Sequence, residues 1–167
     1  MRGFLAGLVT GVVALLLAGF LFVTQGGMPV ATRGPPLPLE RFLAGRALHT
    51  AVAKEEGRPS PLPADQPTLV AGAKVFGANC AVCHGLPGQP PSAIATGMYP
   101  PPPQLWAPGG GVSDDPVGET HWVVQNGIRL TGMPGFASSL SDEELWQVSL
   151  LLARANALPP AARQALR

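Results

Sequence analysis

Cys80-Ala81-Val82-Cys83-His84 constrains this chain more than any other run of residues. Cys80 and Cys83 are the only two cysteines among 167 residues, so no disulfide framework can staple the fold. Two thiols at this spacing share one helical turn. Each can form a thioether to one of two neighbouring vinyl groups of a porphyrin, and the next residue then presents an imidazole to the iron from the same face. C-x-x-C-H is the attachment pattern of c-type haem. Other readings of the pair fit less well. A dithiol redox motif belongs with strands and a βαβ pattern, and none is visible. Zinc takes four ligands; Cys80, Cys83, His84 and His121 could be assembled, but without a second tight pair. A Cys80–Cys83 disulfide would close a trivial loop.

The residues around the motif predict three short helices. The first covers about 67–79 and ends at the cysteines. The second covers about 116–126, with Asp115 as its cap, Pro116 in its first position and Gly127 at its end. The third covers about 142–156. Ser141 and Glu144 form a capping box, Leu145, Val148, Leu152 and Ala155 an apolar stripe, and Pro159–Pro160 stop the chain beyond it. Residues 86–114 and 128–140 are rich in Gly and Pro and read as non-helical. No strand-rich region and no internal repeat is visible. Three short helices and two long loops make a thin core. A loop of nearly thirty residues is out of place in a small domain unless something fills its middle, which points to a large apolar cofactor.

Upstream, Gly3–Val23 carries no charged side chain. As a helix it spans about 31 Å, close to the hydrocarbon thickness of a bilayer. Arg2 precedes it, and no Lys or Arg follows until Arg33, which places the N-terminus in the cytoplasm and exports the rest. The stretch exceeds the ~7–15-residue apolar core of a cleaved signal, so an uncleaved anchor is the preferred reading. Residues 24–38 form a Gly/Pro-rich linker able to reach ~46 Å in an extended state. Residues 39–56 show helical periodicity, with Leu39, Phe42, Leu43, Arg46, Ala47 and Val52 as a broken stripe. The chain thus divides into a transmembrane signal-anchor (1–27), a linker with a helix at about 39–56 (28–65) and a haem domain (66–167). Eleven basic residues against ten acidic ones exclude a basic nucleic-acid binder by composition. A charged share of only 13% is low for a soluble protein and suits a chain partly out of water.

A haem iron held by His84 needs a sixth ligand or keeps an open site. Met/His ligation supports electron transfer, and an open site permits small-molecule chemistry. The candidates are Met28, Met98, Met133, His49 and His121. Met133 is preferred. It lies 49 residues beyond His84 in Thr131-Gly132-Met133-Pro134-Gly135-Phe136. The flanking glycines allow close approach to a flat ring, Pro134 stiffens the loop, and the thioether is a soft ligand. The blander reading packs Met133 in the core. Met98 reads as packing at the ring edge, and His121 as structural or near a propionate.

On these residues, positions 66–156 resemble a class I c-type cytochrome of the membrane-anchored, single-haem bacterial type. The resemblance implies an all-α, cytochrome c-like domain of three to four short helices wrapped round a covalent haem, preceded by a transmembrane and an amphipathic helix. It implies one haem c, bound covalently by Cys80 and Cys83, with His84 and Met133 as axial ligands. Gly72 and Phe76 match the glycine and aromatic of the family's first helix, and Trp146 the aromatic of the helix that crosses it. The loop Tyr99–Leu105 resembles the family's haem-packing proline loop. Phe76 and Leu105 are expected to contact the haem, and a carbonyl of that loop to accept the Nδ1 proton of His84. Arg129 is a candidate to neutralise a propionate, or it is simply solvated. From residue 66 onward, five basic residues stand against six acidic ones, unlike the lysine-ringed mitochondrial members, so steering to an acidic partner is not supported.

The function expected is that of a single-pass protein of the bacterial inner membrane with its haem domain on the periplasmic or outer side. It would carry single electrons between unidentified donor and acceptor complexes of a respiratory chain, without being an enzyme itself. The alternatives are a haem enzyme or gas sensor with an open distal site, and a structural haem subunit of a larger oxidoreductase.

Overall fold

The uncharged N-terminal run forms helix α1, Arg2–Thr24, in a computed structural model that describes every residue except 108 and 110. With no charged side chain inside it except Arg2, α1 is long and apolar enough to cross a membrane. It belongs to a first compact unit, Met1–Glu40; the second is Arg41–Arg167.

The second unit is helical, and no strand occurs among the described residues. Helix α2 is Glu40–Val52, followed by a 3-10 turn over Ala53–Glu55. Of the expected stripe, α2 buries only Val52. Phe42 and Leu43 remain 67% and 60% exposed, whereas Val52 falls to 7%. The packed face is Leu48–Ala51–Val52, one turn of an i, i+4 ridge that meets the stripe only at Val52.

Helix α3, Gln66–Asn79, starts where Asp65 accepts the Thr68 N–H, with Pro67 in its first turn. It leads directly into the short helix α4, Ala81–His84. Helix α5, Ala93–Gly97, lies inside the stretch read as non-helical. The reason is local: Ser92 caps it by accepting from Ala95 N–H, and Ala93–Thr96 contains neither Gly nor Pro. Helix α6, Val117–Asn126, ends at Gly127 with φ 68°. Its expected cap fails, because Pro116 itself occupies the N-cap and Asp115 accepts no capping bond.

Helix α7, Asp142–Ala153, carries the complete Ser141/Glu144 capping box. After a 3-10 turn, Pro159–Pro160 do not stop the chain. Pro160 opens a further helix, α8, Pro160–Ala165, since proline is acceptable where no helical N–H bond is required.

Helices α3 and α7 form the main contact, with α8 against α3 and α6 against α7. The crossing is set at Gly72, where a Cβ would run into the Gln147 carbonyl and stand 3.1 Å from Leu151 Cβ. Ala73, Phe76, Val148, Leu151 and Ala162 are wholly buried around this crossing. Val148 and Phe76 of this block also line a cavity.

Candidate functional site

The motif sits at the end of α3 because Cys80 terminates that helix and starts α4. The N–H groups of Cys83 and His84 both return to the Cys80 carbonyl, at 3.1 and 2.9 Å. Gly85 follows with φ 74°, a left-handed turn that suits glycine. This turn brings the proline loop onto the motif through three bonds. The Gln104 side chain donates from Nε2 to the Cys83 carbonyl at 3.0 Å. Leu105 N–H donates to the His84 carbonyl at 3.3 Å. His84 Nδ1 donates to the Pro103 carbonyl at 2.9 Å. A carbonyl can only accept, so the proton is on Nδ1 and Nε2 keeps its lone pair free for a metal. The sequence pointed to a carbonyl in this loop without naming it; it belongs to Pro103.

Met133 is held through its backbone by an independent set of hydrogen bonds. Its carbonyl accepts from Ile128 N–H at 3.1 Å, and its N–H donates to Thr131 Oγ1 at 3.1 Å. Phe136 N–H reaches back to the Val124 carbonyl at 3.0 Å. The loop lies directly on the end of α6. A Cβ at Gly127 would stand 2.5 Å from Gly135 N and 2.7 Å from Met133 O, and one at Gly135 would stand 2.7 Å from the Asn126 carbonyl. Gly135 therefore permits backbone to pack against backbone at the end of α6. Gly132 is covered by the Met98 methyl group.

Cys80, Cys83, His84 and Met133 line one cavity of about 330 Å³, together with Phe76, Leu105 and Met98. This volume is in the range of small-molecule and cofactor sites. Its walls are mostly apolar, with Val124, Ile128, Phe136, Val148 and Leu152 among them. A haem fits the donor set: two free cysteines, an imidazole with a free Nε2, a thioether sulfur and an apolar enclosure. Among the candidates for a sixth ligand, Met98 and Met133 border the cavity; Met28, His49 and His121 do not. Arg129 is exposed and also lies outside the lining.

Burial, with Cys83 adding to it, pushes the Cys80 thiol up to about 12. A thiol buried this way is not itself an activated nucleophile. No group of three or more His, Cys, Asp or Glu side chains that could hold a metal ion occurs among the described residues, which removes the four-ligand zinc assembly.

His121 is instead fully buried and stacks on Trp146 with centroids 3.8 Å apart and planes at 19°. Neither ring nitrogen has a hydrogen-bond partner. Asp142 Oδ1 lies 3.4 Å from Nε2, too poorly aligned to count as one. Burial, and then the Arg58 charge, hold the His121 pKa below its ordinary value against the pull of Asp142.

The cavity wall also includes Val52, from the expected stripe of α2, and three residues that sequence reading did not place there: Leu48 and the carboxylates Asp115 and Glu119 at its border. The i, i+4 spacing of Leu48 and Val52 was the available signal.

Comparison with known proteins supports the same chemistry. The chain is 34% identical over 103 residues to quinohemoprotein alcohol dehydrogenase ADH IIB of Pseudomonas putida, an alignment that covers 60% of this chain and 13% of that protein. No solved structure matches. Residues 67–150 match the family described as cytochrome C oxidase, cbb3-type, subunit III. This stretch makes up half of the chain and carries both cysteines, His84 and Met133; the chain belongs to that family of c-type cytochromes, whose haem serves electron transfer.

Proposed function

We propose that this protein is a membrane-anchored, single-haem electron carrier with its haem domain on the periplasmic side of a bacterial inner membrane. Cys80 and Cys83 hold the haem through thioethers, and His84 Nε2 and Met133 Sδ ligate the iron. The observation that carries this reading is the pairing of two independently braced donors on one apolar cavity. His84 is fixed through Nδ1 on Pro103, and Met133 by its bonds to Ile128 and Thr131. A haem bound there supplies a reversible one-electron couple at iron. The chain's own part is to keep both ligands in place in either redox state and to exclude water, so that little reorganises on electron transfer. Phe76 and Leu105 supply apolar walls. Partners are one-electron donor and acceptor proteins. The likeness to a quinohemoprotein dehydrogenase favours a place beside, or as a subunit of, a larger oxidoreductase.

Met133→Ala tests the ligand set. The haem stays attached, the midpoint potential falls because the thioether that raises it is gone, and the reduced protein binds carbon monoxide at neutral pH. An unchanged potential with no carbon monoxide binding would place the ligand elsewhere, and Met98→Ala is then the variant that responds.

A further inference from the structure

Part of the cavity wall comes from residues well upstream of the matched stretch 67–150. Leu48 and Val52, one turn apart on α2, both line it, and Val52 is 7% exposed. The segment after them is seated on α6 at Gly118 and reaches α7 at Trp146. At Gly118 a Cβ would collide with the Glu55 carbonyl and stand 2.9 Å from Arg58 Cβ, so only glycine admits the strap this closely. Arg58 N–H donates to the Glu55 carbonyl at 2.9 Å, closing the turn. The Arg58 guanidinium then lies 5.3 Å from the centroid of Trp146, within reach of a cation–π contact. Helix α6 itself lends Thr120 and Val123 to the cavity. Strap and α6 therefore form one wall.

We infer that Leu48–Arg58 is a haem-covering strap, in which Leu48 and Val52 supply apolar contacts to the cofactor and Gly118 is the seat that holds them there. The inference rests on the haem reading above. Its physical effect follows from burial. Covering this side keeps water away from the iron's surroundings and disfavours the more highly charged ferric state, which raises the potential. Electron exchange is left to the part of the cavity mouth that the strap does not cover.

The test uses the full-length holoprotein. Two variants are compared with wild type: Gly118→Val, which unseats the strap, and Leu48→Ser with Val52→Ser, which keeps the seat but removes the apolar cover. Phe42→Ser, on the exposed face of α2, is the control. Two readouts are followed, the midpoint potential and the rate of tryptic cleavage after Lys54. Both strap variants keep covalent haem and lower the potential, corresponding to a several-fold fall in the one-electron reduction constant. Gly118→Val also speeds cleavage after Lys54 several-fold, and the control changes neither readout. Attached haem with unchanged potential in the Leu48/Val52 variant overturns the strap while leaving the haem reading intact. Wild-type protein that carries no haem overturns both. Should Gly118→Val fail to fold, the Leu48/Val52 variant decides alone.

Discussion

At the scale of single residues, two side chains are held against their ordinary preferences. Leu130 has φ 61° and is 94% exposed. A left-handed conformation costs a non-glycine residue roughly 1–2 kcal/mol, and an exposed leucine recovers none of it by burial. Leu130→Asn is expected to raise stability by up to about 1 kcal/mol, measured as a higher thermal midpoint at unchanged visible spectrum. His121 is the second. Burial keeps its imidazole neutral in the fold, whereas the unfolded chain protonates it below about pH 6.5. The unfolded state then binds more protons, so stability is present above that pH and is lost as pH falls toward the lower folded value. Thermal midpoints should decline on acidification from about pH 7, and His121→Phe should flatten that decline. An equal slope in both proteins would assign the acid loss to other groups.

At the scale of elements, the α3/α7 crossing and the Met133 loop carry the site. Gly72→Ala pushes a methyl group into the Gln147 carbonyl and is expected to cost about 1–3 kcal/mol, read from denaturant unfolding. Gly127→Ala adds both steric conflict and a φ of 68°, and should loosen Met133 before it unfolds the domain. The sign of this is a weakened sulfur-ligation band with haem content unchanged. Much of this level is legible in the sequence. Asp65 and Pro67, the Ser141/Glu144 box and Gly127 fix helix ends through local chemistry, and local chemistry can be read from a string. Cys80, Cys83, His84 and Met133, singled out by residue type and spacing, line one cavity. What could not be read depends on contacts distant in sequence. On α2, periodicity gives a stripe of Leu39, Phe42, Leu43, Arg46, Ala47 and Val52 without telling what will cover it; the face used is Leu48–Ala51–Val52, which shares only Val52 with that stripe. Helix α8 is hidden because Pro159–Pro160 reads as a stop, whereas Pro160 opens a helix.

At the scale of the whole molecule, α1 and the haem domain pose separate questions. Helix α1 is able to span a bilayer by length and composition. The anchored reading predicts that the full-length chain stays in the membrane fraction through a high-salt and alkaline wash. Recovery in the soluble fraction, with the N-terminus trimmed, would make α1 a signal sequence instead. The haem domain has no strong charge of one sign, so its association with partners should depend only weakly on ionic strength.

The most direct test of the central claim is the pigment itself. Full-length protein is purified from a host that matures c-type cytochromes, then denatured and examined by mass and by its haemochrome spectrum. The account predicts a chain heavier by one haem, a haemochrome band of the thioether-linked type that survives organic extraction, and no titratable thiol at Cys80 or Cys83. A colourless chain of unmodified mass with two free thiols would contradict it.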